Sequence, residues 1–101
     1  MAHRVVWLRA AEQDLDAIAD YIAHDSPAYA SAIVQKMLAA ATNLAEFPLI
    51  GKAVPEWSDK TIRELLVYTY RLIYRIDNDS VLVLAVIHGA RLLPDVLRER
   101  R

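Results

Sequence analysis

The 101 residues, 55% hydrophobic and 25% charged, suit one domain (1–101) with its own core and are too apolar for a disordered chain. The absence of cysteine excludes a disulfide framework and thiol chemistry, and fits a reducing compartment. Net charge is −1, and no segment carries the basic excess expected of a protein that grips a phosphate backbone, which weighs against stable nucleic-acid binding.

The N-terminal apolar patch is too short for a signal peptide and turns acidic at once. Arg4–Leu8 is β-branched and aromatic, which predicts a first strand. From Ala10 the period changes. Ala11, Leu15, Ile18, Ala19 and Ile22 recur at helical spacing with Glu12, Asp16 and Asp20 on another face, so an amphipathic helix is expected over Ala10–His24. Asp25-Ser26-Pro27 punctuates the chain: Ser26 can cap a second helix and Pro27 suits its first position, where no N–H is needed. That helix is expected over Pro27–Glu46, with Ala30, Ile33, Met37, Ala41 and Leu44 in one stripe, and the short connection makes an antiparallel helical hairpin.

Phe47-Pro48 closes the second helix, and Pro48–Lys60 reads as irregular loop. Three β-rich runs follow: Ile62–Val67, Tyr70–Ile76 and Val81–His88. Asp77-Asn78-Asp79-Ser80 is a hairpin signal, whereas Tyr68 and Thr69 disfavour the positive φ of a tight turn. A three-stranded antiparallel meander is the simplest arrangement, making the fold α+β in the order β-α-α-β-β-β. The longest apolar run, Val81–Ile87, is far shorter than the ~20 residues a helix needs to cross a bilayer, so a soluble cytoplasmic protein with no membrane partner is expected. Leu92–Arg101 reads as a short tail of one or two helical turns, apolar on one side and ending in arginines.

In Tyr70–Ile76 a period of two separates Tyr70, Leu72, Tyr74 and Ile76 from Arg71, Ile73 and Arg75. The plainer reading of the charged face is that it is solvated, its arginines pairing with Glu64, Asp77 or Asp79. The alternative is a phosphodiester site assembled from Arg63, Arg71, Arg91, His88, Glu56 and Lys52. In it arginines stabilise charge on phosphorus oxygens while a carboxylate and an imidazole move protons. His3, His24 and His88 share no metal-ligand spacing, and neither a phosphate-cradling glycine loop nor an HExxH or GxSxG motif is present. No metal or cofactor is expected.

The ordered series Arg4-Val5-Val6-Trp7, Asp14-Leu15, Tyr21-Ile22, Ser26-Pro27, Phe47-Pro48, Gly51-Lys52, Arg63-Glu64-Leu65-Leu66-Val67, Tyr70-Arg71-Leu72-Ile73-Tyr74-Arg75 and His88-Gly89-Ala90-Arg91 resembles the RelE/ParE superfamily. These are toxins of bacterial type II toxin–antitoxin systems, also called plasmid stabilization proteins. The resemblance covers nearly the whole chain and implies a helical hairpin packed on an antiparallel sheet that the first strand joins. It also implies one of two activities. RelE-like members cleave messenger RNA in the ribosome by attack of the ribose 2′-hydroxyl, and the roles would fall on Arg71 and Arg91 at the phosphate, His88 as acid and Glu56 as base. ParE-like members inhibit DNA gyrase, and the runs around Arg63, Arg71 and His88 resemble that side more closely. Partner recognition would then use Arg63, Arg71, Arg75, Arg91 and Trp57. A cognate antitoxin is implied, folding onto a sheet edge or beside the helical hairpin in a toxin–antitoxin heterotetramer, with Glu12, Asp16 and Asp20 favouring basic groups on it. A member that binds its partner without toxicity is the third reading.

Overall fold

A computed structural model describes residues 2–89 and Arg100. The elements are β1 (Arg4–Trp7), α1 (Arg9–Ala23), α2 (Pro27–Asn43), β2 (Lys52–Ala53), β3 (Ile62–Val67), β4 (Tyr70–Asp77) and β5 (Ser80–His88). Five strands form one mixed sheet in the order β1-β5-β4-β3-β2. The last three strands make the expected meander, while β1 runs parallel to β5, Arg4 opposite Ser80 and Trp7 opposite Val83. Parallel pairing follows from the route: the chain leaves β1, makes the helical hairpin and the meander, and returns along β1 in the same direction.

Ser26 caps α2, its Oγ accepting from the Tyr29 amide at 3.1 Å, with Pro27 at the first helical position. The helix stops at Asn43, earlier than the expected Glu46. Over Leu44, Ala45 and Glu46 the amides turn to carbonyls three residues back, which tightens the chain ahead of Pro48. Within the expected loop, Lys52 and Ala53 pair with Glu64 and Arg63 and add a short edge strand. Both turns of the meander use a positive φ, 54° at Asn78 and 55° at Tyr68. Asparagine tolerates that conformation; tyrosine does not.

Two apolar clusters sandwich the sheet. On the helix side Leu72, Tyr74, Val81, Val83 and Val86 meet Ala11, Leu15, Met37, Ala41 and Leu44. On the far side Ile62, Ile73, Leu84, Ala85 and Ile87 are covered by Val54 and Trp57 of the loop. Both faces of β5 are therefore buried, which is why Val81–Ile87 is apolar without alternation. A register shift between Ile73 and Tyr74 leaves Leu84 opposite no partner, and Leu84 and Ala85 consequently join the same cluster. Asp14 ties α1 to the sheet: one carboxylate oxygen accepts the Val86 amide at 3.1 Å, and both oxygens take the Arg100 guanidinium. Arg91 and the expected tail, Arg100 apart, lie outside the described residues.

Candidate functional site: a filled arginine fork and an aromatic face

The far face of β4 differs from the solvated surface expected of it. Arg71 is 6% exposed and Glu64 5% exposed. Glu64 stands on neighbouring β3, two residues along from the Leu66 that pairs with Arg71, and so on the same face as Arg71. Arg71 Nε donates to Glu64 Oε2 at 2.6 Å, and its two terminal nitrogens grip Glu56 in a bidentate pair, each at 2.9 Å. Glu56 arrives from the loop that covers this face. Lys52, largely exposed, stands 3.9 Å from the other Glu64 oxygen. The hydrogen bond to Glu56 holds the Arg71 guanidinium above its ordinary pKa, partly opposed by burial and reinforced by Glu64. Two carboxylates thus surround one guanidinium at the floor of a shallow depression lined also by Pro55, Leu66 and Gly89.

Such a fork has few donors left for a phosphate, and the two carboxylates would repel one. The other expected site residues scatter. Arg75 shares the far face with Arg71, beside Ile62 and Leu82, half-buried. Arg63 stands opposite Tyr74, on the helix side, and donates to the Gly51 carbonyl at 2.8 Å. The Nε atoms of Arg63 and Arg75 are buried without a hydrogen-bond partner. Trp57 packs as a half-buried cover on the far cluster. His88 pairs with Tyr70, one residue out of phase with the Arg71–Ile87 pair, so His88 and Arg71 point to opposite faces. The common location expected of Arg63, Arg71, His88, Glu56 and Lys52 therefore reduces to Arg71, Glu56 and Lys52, joined by Glu64. Among the described residues no group of three or more histidines and acids is arranged to hold a metal ion, and no helix is long and apolar enough to cross a membrane.

Two further features lie on the surface. Beside the outer edge of β1, which no strand among the described residues covers, runs an open groove of about 590 Å³, lined by β1 together with Glu12, Leu15, Asp16, Val34 and Leu38 of the helical hairpin. At another place the Tyr29 and Tyr68 rings meet edge to face with centroids 6.2 Å apart, and Tyr70 meets His88 in the same way at 5.7 Å. Burial raises the Tyr70 pKa, with the nearby Tyr29 and Tyr21 hydroxyls adding to the effect. Sequence reading passed over this aromatic group because its members stand far apart in the chain, and the signal available was only the five tyrosines against one phenylalanine.

Residues 5–93 match the family described as ParE toxin of the type II toxin–antitoxin system parDE, and the chain belongs to that family. A toxin of Caulobacter vibrioides named RelE2 is 37% identical over 90 residues, covering 88% of this chain and 98% of its own. Among solved structures, a chain of the chromosomal ParDE toxin–antitoxin system from P. aeruginosa shares the fold with a TM-score of 0.71 at 23% identity, over 86% of this chain and 96% of that one. A chain of the RelBE2 toxin–antitoxin complex from Mycobacterium tuberculosis superposes with a TM-score of 0.59 at 27% identity, over 87% and 99% of the two chains.

Proposed function

We propose that this ParE-family toxin arrests growth by acting on DNA gyrase, a protein target, and that a cognate antitoxin neutralises it. The observation that carries the choice is the filled arginine fork. Cleavage of a ribose phosphate needs cationic donors aimed at the phosphorus oxygens and a proton donor within reach of the leaving oxygen. Here the Arg71 donors are taken by Glu56 and Glu64, the base candidate Glu56 is itself ion-paired, and His88 stands on the opposite face of the sheet. The overall charge of −1 also suits a protein target better than ribosomal RNA. For the antitoxin, the outer β1 edge, uncovered among the described residues, can accept an added strand, and the adjoining groove can take the apolar side of a helix with basic groups at its Glu12 and Asp16 rim.

Induced expression in a bacterial host, alone and with a candidate antitoxin gene, tests the reading. Growth arrest with chromosomal breaks and intact mRNA is expected, relieved by the cognate antitoxin. Arrest accompanied by cleaved mRNA would overturn it.

A further inference from the structure

We propose that Tyr21, Tyr29, Tyr68 and Tyr70 form a docking surface for an arginine- or lysine-bearing segment of a partner protein, separate from the β1-edge groove, whose lining residues it does not share. The inference stands apart from the choice of gyrase as target. Tyr21 is 81% exposed, Tyr68 53% and Tyr29 49%. They come from the end of α1, the start of α2 and the β3–β4 turn, with Tyr70 and His88 completing the group from the sheet. Neighbouring exposed tyrosines, with the Tyr29 and Tyr68 rings in edge-to-face contact, make an amphipathic area that loses little side-chain entropy on binding, the kind of surface that anchors protein interfaces.

Tyr68 adds an independent argument. Its backbone sits at φ 55°, which costs a non-glycine residue about 1 kcal/mol or more. Glycine or asparagine would fill that turn more easily. The ring set edge to face against Tyr29 is what the side chain contributes there, and about half of it lies in solvent.

Charge selects the partner. Between Arg9 and Lys36 there is no lysine or arginine, and of the five acids there Glu12 and Asp16 line the β1-edge groove, which leaves Asp14, Asp20 and Asp25. Asp14 is occupied by Arg100 and the Val86 amide. Asp20 adjoins Tyr21 in the chain, Asp25 lies in the turn that leads to Tyr29, and both are exposed. Aromatic faces and carboxylates together attract guanidinium and ammonium groups. Nucleobases would also stack on tyrosine, but their phosphates would meet these acids. A second copy would bring acid against acid.

The test is an NMR titration of the full chain with a synthetic peptide of alternating Arg and Ser, a matched Glu and Ser peptide, and oligothymidine. The arginine peptide is expected to shift the ring resonances of the four tyrosines, with the other two probes weaker. Each ring removed should weaken binding about two- to fivefold, so Tyr21→Ala with Tyr68→Asn should lose about tenfold. Folding is protected in that pair: Tyr21 is exposed, and asparagine suits φ 55°, so Tyr68→Asn should melt no lower than the parent. Unchanged affinity in the double variant, shifts confined to other residues, or tighter binding of the Glu peptide or of oligothymidine would each overturn the proposal. Growth arrest by the parent chain is scored separately, so failure of the toxin reading and failure of this surface give different results.

Discussion

Arg71→Ala should lower the stability of the fold by about 3–5 kcal/mol, the cost of removing one partner from a buried charge pair. The loss arises from what remains. Glu64 is almost fully buried and would keep only a 3.9 Å approach from Lys52, while Glu56 would face it as a like charge. Arg71→Met combined with Glu64→Leu removes both buried charges and should recover most of the loss, since apolar replacement of a buried pair is often neutral or stabilising. Chemical denaturation of the parent, single and double variants measures this directly. An Arg71→Ala variant within about 1 kcal/mol of the parent would show the triad to be energetically idle. The pH dependence has a definite sign. The folded-state pKa of Arg71 is raised, so its contribution is complete below the ordinary arginine value and is lost only as pH climbs through the raised one, leaving it constant at neutral pH. The double variant has a second use. Growth arrest that persists in it assigns Arg71 to structure, whereas loss of Arg71 alone would confuse unfolding with lost chemistry.

Why the triad was hidden from the sequence is a matter of distance and cover. Alternation along Tyr70–Ile76 correctly separates the two faces, but it cannot say what lies above the charged one. That cover, Val54 and Trp57 together with Glu56, belongs to a stretch whose proline and polar residues read as plain loop. Pairing of an arginine on this face with Glu64 was legible, whereas the second carboxylate, Glu56, stands 15 positions from Arg71 and no periodicity links the two. The short strand β2 is illegible for a related reason. Lys52 and Ala53 are both exposed and become strand only because the β3 edge offers them backbone partners. The bulge at Leu84 leaves no trace either, since Val81–Ile87 is apolar at every position and a shift of face changes nothing in its pattern. By contrast, the helical hairpin and the meander were legible. Their signals are local: a change from period two to helical spacing at Ala10, a capping serine before Pro27, and a turn residue at Asn78 that accepts positive φ. Tyr68 violates that local logic, and the ring contact with Tyr29 shows where the local preference yields to tertiary structure.

The loop that delivers Glu56 depends on one glycine, and Gly51→Ala should destabilise the fold by about 3 kcal/mol, at the upper end of ordinary overpacking. A Cβ at that position would stand 2.5 Å from the Glu64 carbonyl oxygen and 2.6 Å from the Tyr74 hydroxyl. Neither can retreat. The carbonyl belongs to the centre of β3, and the Tyr74 hydroxyl is fixed on both sides, accepting from the Gly51 amide at 3.0 Å and donating to the Pro48 carbonyl at 2.7 Å. Tyr74 is itself fully buried on β4, so its ring holds the start of the loop to the helix side of the sheet while Val54 closes the far side. Tyr74→Phe keeps the ring and strands two polar groups, and should cost about 1–3 kcal/mol. The two variants diverge at alkaline pH. Burial raises the Tyr74 pKa above its ordinary value, so the stability it contributes is intact below that value and falls as pH rises through the folded-state one. Denaturation across that range should therefore show a steep decline for the parent and Gly51→Ala, and a shallower one for Tyr74→Phe, in which Tyr70 still carries a raised value. Parallel declines in all three would remove Tyr74 from the alkaline transition and weaken the case that its hydroxyl anchors the loop.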